Sequence, residues 1–368
     1  DIDGNLDVDG GTIKLDGDYP TGTGNVAIGN TALDSGSLSG NFNTAIGSTS
    51  LTDNTSGASN VGVGYGSLAN NTTGGSNVAV GVNSLEANQT GSNNVAIGTQ
   101  ALDANTASNN VAVGHNSLFS NTTGEFNTAL GTCSLKVNTT GAENTTLGTL
   151  SLRSATTASY NTAVGACALC SQTTGISNSA LGYFALSAST TGTLNTALGM
   201  NSMLGTTSGA NNVAVGHNSL RCNTTGAANT GIGVCALGTL TTAAGNVGMG
   251  YHALKVNTAN YNTGLGYEAL KSNTTAQCNT AVGTSSLRDN TTGCKNTSIG
   301  FNSMLLNTEG CQNTALGVTA LDANTTGDNN VAIGQSALTS NTTASDNVAV
   351  GKSALGVNTT GCRNVAIG

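Results

Sequence analysis

An asparagine followed four residues later by a glycine returns in register 21 times, from Asn25 to Asn364; successive asparagines lie 17 residues apart, with one interval of 18 and two of 16. A fixed short period sustained over nearly a whole chain confines it to architectures in which one small unit stacks on copies of itself. The local question is then how one unit folds and what each copy offers its neighbours.

Written as places 1 to 17, the unit reads N-[VT]-[AG]-[ILV]-G-x-x-[AS]-L-x-x-N-T-T-G-x-x. Place 4 is apolar in every copy, Met249 being the one departure from Ile, Leu or Val. Places 1 to 5 alternate as a short strand does, with places 2 and 4 on one face and the small place 3 on the other. Place 4 and the Leu at place 9 (Leu33, Leu135, Leu152 and Leu355, with Met203 and Met304 as variants) are the expected apolar anchors. Gly at place 5 permits a bend or a close backbone approach. The Asn-Thr-Thr-Gly run predicts a turn in which Asn bonds its own backbone and Gly supplies positive φ. The xxAL segment fits a second strand and one helical turn equally.

Aromatic residues make up 3% of the chain, Trp is absent and there are 52 Gly. Such a thin apolar supply is expected to be supplemented by sharing the core among several chains. With about 4.8 Å per stacked strand, 21 coils would make a rod of roughly 100 Å, and recurring Asn and Thr would meet their own copies one coil away. The expected fold is all-β: a parallel β-solenoid or β-roll of about 21 coils, short helical turns left open, in an intertwined or side-by-side assembly of several chains. Residues 1–24 are expected to form a β-rich cap and residues 25–368 the repeat array of a fibre shaft.

A charged fraction of 8%, a single Pro and strict apolar periodicity argue for order. No run approaches the roughly 20 apolar residues of a membrane span, so membrane insertion is not expected. A net charge of −8 gives no reason to expect nucleic acid as a partner. The chain opens on Asp1 without a leader and is expected to be a processed product or a fragment.

The stretches "NTALGTCSLKVNTTGAENTTLG" and "NVAVGHNSLRCNTTGAANTGIG" resemble the NTAIG-xxAL-xxNTTG repeats of phage tail fibres and related bacterial surface proteins. More distantly, the cadence is similar to the head repeats of trimeric autotransporter adhesins, whose period is shorter. The resemblance implies an extracellular or virion location, a homotrimer, other fibre or baseplate proteins as partners, and a host polysaccharide or receptor as the target. No cofactor is expected.

The variable places are where specificity is expected. Place 10 holds Lys136, Arg153, Arg221, Lys255, Lys271 and Arg288. In register these cations would form an interrupted positive stripe able to meet anionic polysaccharide or headgroups, although charge at an exposed tip also serves to prevent lateral association. Place 6 holds Tyr65, Tyr183, Tyr251 and Tyr267, rings that could stack on sugars or fill an uneven core.

Among the nine cysteines, Cys294 and Cys311 share place 16 in successive coils, one strand spacing apart, which is compatible with a disulfide. Cys167 and Cys170 form a lone C-x-x-C without a second pair, read as independent thiols. The three histidines do not cluster, and no metal site is expected beyond a calcium-like loop with Asp7, Asp9 and Asp18, which lacks the expected sixth-place Gly.

Catalysis is not expected: the 18 acidic residues are mostly solitary in the array, whereas glycoside cleavage needs two converging carboxylates. The function that the stacked repeat and the resemblance together imply is the structural shaft of a phage-like tail fibre supporting host attachment. The alternatives are a bacterial trimeric adhesin or filament binding glycans through its repeat faces, an ice-binding solenoid and a polysaccharide-cleaving tailspike.

Overall fold

A computed structural model describes residues 22–368; Asp7, Asp9 and Asp18, with most of the expected cap at 1–24, lie outside them. Among the described residues the chain is a parallel β-solenoid with no helix. Its 21 strands have three residues each and are numbered in chain order from β1 (Val26–Ile28) to β21 (Val365–Ile367). The chain divides into two compact units between Thr128 and Ala129, within β7 (Thr128–Leu130).

In the first unit β1 to β6 (Val111–Val113) pair each with the next, parallel and in strict register. In the second, β8 (Thr145–Leu147) to β21 do the same; Val213, Ala214 and Val215 face Thr230, Gly231 and Ile232. Each place of the repeat therefore becomes a column.

The strand alternation is as expected, but the inward face is the opposite of the one assigned to the anchors. Place 3 points into the coil: Ala129, Ala163, Ala214 and Ala281 are fully buried, while place 4 is partly or largely exposed, with Leu147 and Leu181 at 50%. A coil of 17 residues encloses too little volume for an aliphatic side chain at both places, so the strand lends only its methyls to the inside. The core of each coil is place 3, place 8 (Ala or Ser) and the Leu or Met of place 9, joined in most coils by two asparagines. A buried Leu contributes about 1.5–3 kcal/mol, so place 9 is the main apolar contribution per coil.

The xxAL segment is neither a second strand nor a helical turn. Its backbone turns through left-handed residues at places 7 and 9, such as Cys133 (φ 53°) and Leu135 (φ 50°), and a third left-handed residue stands at place 17, as in Glu143 (φ 57°). Left-handed geometry costs a non-glycine residue about 1–2 kcal/mol. At place 9 the burial of Leu offsets that cost. Turn bonds close the segment, Ala168 N–H to Gly165 O at 3.2 Å and Gln172 N–H to Leu169 O at 3.0 Å, while Leu169 N–H reaches Ala185 O of the next coil at 3.0 Å.

The two conserved-looking glycines of the unit act differently. At place 5 Gly283 has φ +127°, and a Cβ there would lie 2.5 Å from the carbonyl oxygen of Gly300 in the next coil. Gly at place 15 does not supply positive φ as expected. It is buried, and Ala158 and Ala344 occupy the same place in other coils, so the requirement is for a small side chain.

Both asparagine columns are hydrogen-bonded ladders. At place 1, Asn229 N–H donates to Asn212 Oδ1 at 3.0 Å and Asn229 Nδ2 donates to Ala243 O, the place-15 carbonyl, at 2.8 Å. At place 12, Asn307 Nδ2 donates to Asn290 Oδ1 at 2.8 Å and to Gly310 O at 3.0 Å. Most of these buried amides are thus partnered, as buried polar groups generally are, with Asn88 Oδ1 an exception in the first unit. The 16-residue coils absorb their deletion in the turn: Ala107 O accepts from Asn94 and Asn105, doing the work of the missing place-15 carbonyl. Thr at place 13 joins the scheme, Thr291 Oγ1 donating to Thr308 O at 2.9 Å.

The place-12 ladder is interrupted in the second unit, where Ala155, Gln172, Ser189, Thr206 and Leu240 replace Asn. Gln172 Oε1, Ser189 Oγ, Thr206 Oγ1 and Asn223 Oδ1 are buried there without a partner. Asn223 Oδ1 is orphaned because the next coil offers Leu240 instead of an amide.

Candidate functional site

Because place 3 turns inward, the strand residues at places 2 and 4 form the outer face of each sheet. In the second unit this face carries Leu147, Leu181, Leu198, Met249, Ile299 and Leu316, all at least 39% exposed, with Thr, Ser or Val beside them at place 2. Thr162, Ser179, Leu181, Thr196 and Leu198 line a shallow, predominantly apolar groove along β9 to β11, strands Thr162–Val164, Ser179–Leu181 and Thr196–Leu198. Monomeric proteins rarely expose contiguous apolar patches above a few hundred Å². Place 4 alternates here between exposed aliphatics and partly covered ones such as Val164, Val215 and Ile232, so an apolar row runs along the outer face.

The aromatic places are surface features and not core filling. Tyr65, Tyr183, Tyr251 and Tyr267 are between 43% and 58% exposed. Tyr183 packs edge to face on Phe184 with ring centroids 4.4 Å apart. Tyr251 and Tyr267, at place 6 of successive coils, stack at 5.2 Å and 13°, and His252 stacks on Tyr251 at 3.8 Å. A second aromatic column went unnoticed in the sequence. Place 17 carries Phe42, Phe126, Tyr160 and Tyr261, all more than half exposed, and the signal was their shared place immediately before the repeat Asn.

The place-10 cations divide into groups. Lys255, Lys271 and Arg288 stand in successive coils, but Lys271 Nζ is 2.8 Å from Glu268 and Arg288 makes a two-point pair with Asp289 at 2.8 Å. That pairing holds the Arg288 pKa above its ordinary value. Acidic neighbours therefore offset part of the expected positive stripe. Burial, then the charges of Lys255 and Lys271, lower the His252 pKa against an opposing pull from Glu268, so His252 is neutral near pH 7. Arg221 and Lys255 are separated by one coil whose place 10 is Gly238, and both line the shallow hollow above it. Lys136 and Arg153 occupy place 10 in the two preceding neighbours of the Cys167 coil.

Earlier in the chain place 10 is acidic in three coils, at Asp34, Glu86 and Asp103. Burial, with the neighbouring Glu86 charge second, raises the Asp103 pKa to about 6.

Two cysteine expectations change. Cys167 and Cys170, read as independent thiols, are joined by a disulfide within one coil. Cys294 and Cys311 are brought together as expected, with sulfurs 3.1 Å apart, but both are free thiols. No group of three or more His, Cys, Asp or Glu suited to a metal ion occurs among the described residues, and no helix there is long and apolar enough to cross a membrane.

Comparison with known proteins gives no match to a protein-family model and no match among curated proteins.

Proposed function

We propose that the chain is the structural shaft of an extracellular fibre of the phage tail-fibre type, assembled as a homotrimer that supports attachment to a host surface. One observation carries this reading: every strand turns its larger aliphatic side chain outward, leaving a face that further copies of the same chain are suited to cover. A repeat that faces its own copies meets the same chemistry at every level, which explains why place 4 stays apolar although it contributes little to its own coil. The likeness of the repeat to tail-fibre sequences supports the location outside a cell, and a self-stacking shaft needs neither cofactor nor catalytic group.

The test is the native mass by light scattering. A mass near three times the 36.0 kDa of one chain is expected; a monodisperse single-chain mass would overturn the trimer.

A second reading, direct glycan binding by a surface adhesin, is favoured by the Tyr251–Tyr267 stack flanked by His252, Glu268 and Lys271. Exposed rings beside paired charges match the way sugar faces and hydroxyls are held. Glycan-array binding lost in Tyr251→Ala with Tyr267→Ala would support it, and unchanged binding would sink it. The ice-binding alternative loses ground, because place-13 Thr hydroxyls donate to the next coil.

A further inference from the structure

The place-16 column in the last coils is a chain of side chains that accept from the backbone of the coil before them. Cys294 N–H donates to Cys311 Sγ at 3.0 Å, Cys311 N–H to Asp328 Oδ1 at 2.6 Å, and Asp328 N–H to Ser345 Oγ at 3.0 Å. Within this chain the two thiols lie 3.1 Å apart on parallel backbones of successive coils. Adjacent parallel strands are spaced about 4.8 Å apart, inside the Cα separation that a disulfide spans. Closing the bridge therefore asks for side-chain rotation and no movement of a coil. The pair is reachable from solvent, because Cys294 lines an open hollow with Thr275, Gln277, Cys278, Thr292 and Lys295.

The geometry points to Cys294 and Cys311 as a redox modification site, a dithiol that low-molecular-weight disulfides oxidise to an inter-coil bridge. In the first step the Cys294 thiolate attacks one sulfur of R–S–S–R, forming a mixed disulfide and releasing R–S⁻. In the second the Cys311 thiolate attacks the Cys294 sulfur, forming the Cys294–Cys311 bond and expelling the second R–S⁻. The two protons lost by the cysteines end on the two released thiols. The protein pair is oxidised by two electrons and the small disulfide is reduced by two. Cys294 lines the open hollow and Cys311 does not, which gives the first attack to Cys294 and the second, intramolecular attack to Cys311; burial, against the pull of the Cys294 backbone hydrogen bond, raises the Cys311 pKa. The bridge would lock two coils at a level where the array otherwise relies on hydrogen bonds. This goes beyond the shaft reading and does not depend on the oligomeric state.

The experiment uses the full chain, reduced, freed of reductant and exposed to glutathione disulfide near pH 8, then quenched and digested with trypsin without reduction. Cleavage after Arg288 and Lys295 puts Cys294 in peptide 289–295 and Cys311 in peptide 296–352, with Cys278 in a third. The expected result is a covalent pair of the first two peptides, two hydrogens lighter than their sum, released by dithiothreitol and formed at an unchanged rate in Cys278→Ser. Formation should be more than tenfold slower in denaturant, where the coils no longer align the thiols. Recovery of both cysteines as free thiols, each as its own glutathione adduct, or linked to Cys278 or Cys362 instead, would overturn the proposal.

Discussion

Asn212 Oδ1 accepts two hydrogen bonds from Asn229, one from its backbone N–H at 3.0 Å and one from its side-chain Nδ2 at 3.2 Å. One carboxamide thus closes the end of the next strand and fixes the next carboxamide, so the ladder transmits register from coil to coil. Asn212→Ala should leave the Asn229 N–H without its partner and the place-15 carbonyl of Gly226 with Asn223 Nδ2 alone. An unsatisfied buried group costs about 1–3 kcal/mol. Hydrogen exchange should accelerate first in the coils around 195–229, and a uniform or absent change would contradict the ladder's role.

The defective stretch of the place-12 ladder predicts that stability can be gained there. Thr206 Oγ1 is buried without a partner beside Asn223, whose Nδ2 bonds only its own turn. Thr206→Asn would offer that amide an acceptor, as Asn290 does for Asn307. The expected gain is about 1 kcal/mol in unfolding free energy, read as a raised denaturation midpoint. A loss of stability would mean that packing, not hydrogen bonding, selects the residue at this place.

Gly283→Ala should be severely destabilising. It places a Cβ 2.5 Å from the Gly300 carbonyl oxygen and asks Ala to hold φ +127°, so a loss of about 2–4 kcal/mol is expected from the combination of strain and overpacking. Gly327→Ala at place 15 should cost less: its Cβ also presses on the Ala344 carbonyl oxygen of the next coil, but Gly327 holds no left-handed φ, so the backbone strain of Gly283→Ala is missing. Equal losses would refute the distinction between the two glycines.

Acidification should stabilise the first unit through Asp103. Its pKa is raised from 3.8 to about 6 in the folded state, so the folded chain holds the proton more tightly than the unfolded one. The contribution is fully present below pH 3.8 and is lost as pH rises through about 6. Between pH 7 and pH 5 the gain should be on the order of 1 kcal/mol after solvent screening, and Asp103→Asn should abolish it. A pH dependence unchanged in that variant would assign the effect elsewhere.

The outer aliphatic face gives the sharpest test of assembly. Leu181→Glu with Leu198→Glu alters two half-exposed side chains and leaves the coil interior untouched, so the strand content by circular dichroism should persist. The light-scattering mass should fall from about three chains towards one. Retention of the full mass would move the contact between copies to another face.

The repeat determined the class of fold before any coordinates: identical places recurring at 17 residues can only stack, and the Asn and Gly columns mark the places where every copy meets the same neighbour. Asn307 bonding Gly310 of its own turn was likewise legible, since a short amide after an apolar anchor bonds its own backbone. The direction of each side chain was not. Alternation separates place 3 from places 2 and 4 but cannot say which set is inside; the volume of a closed coil decides, admitting Ala214 and excluding Val215. Leu135 at φ 50° was equally hidden, because local preference disfavours that geometry and only burial in the finished coil repays it. The disulfide between Cys167 and Cys170, the free pair at Cys294 and Cys311, and the Tyr251–Tyr267 stack depend on the same rule. Sequence sets which residues share a column, and the closure of the coil in three dimensions sets which way that column faces and what it touches.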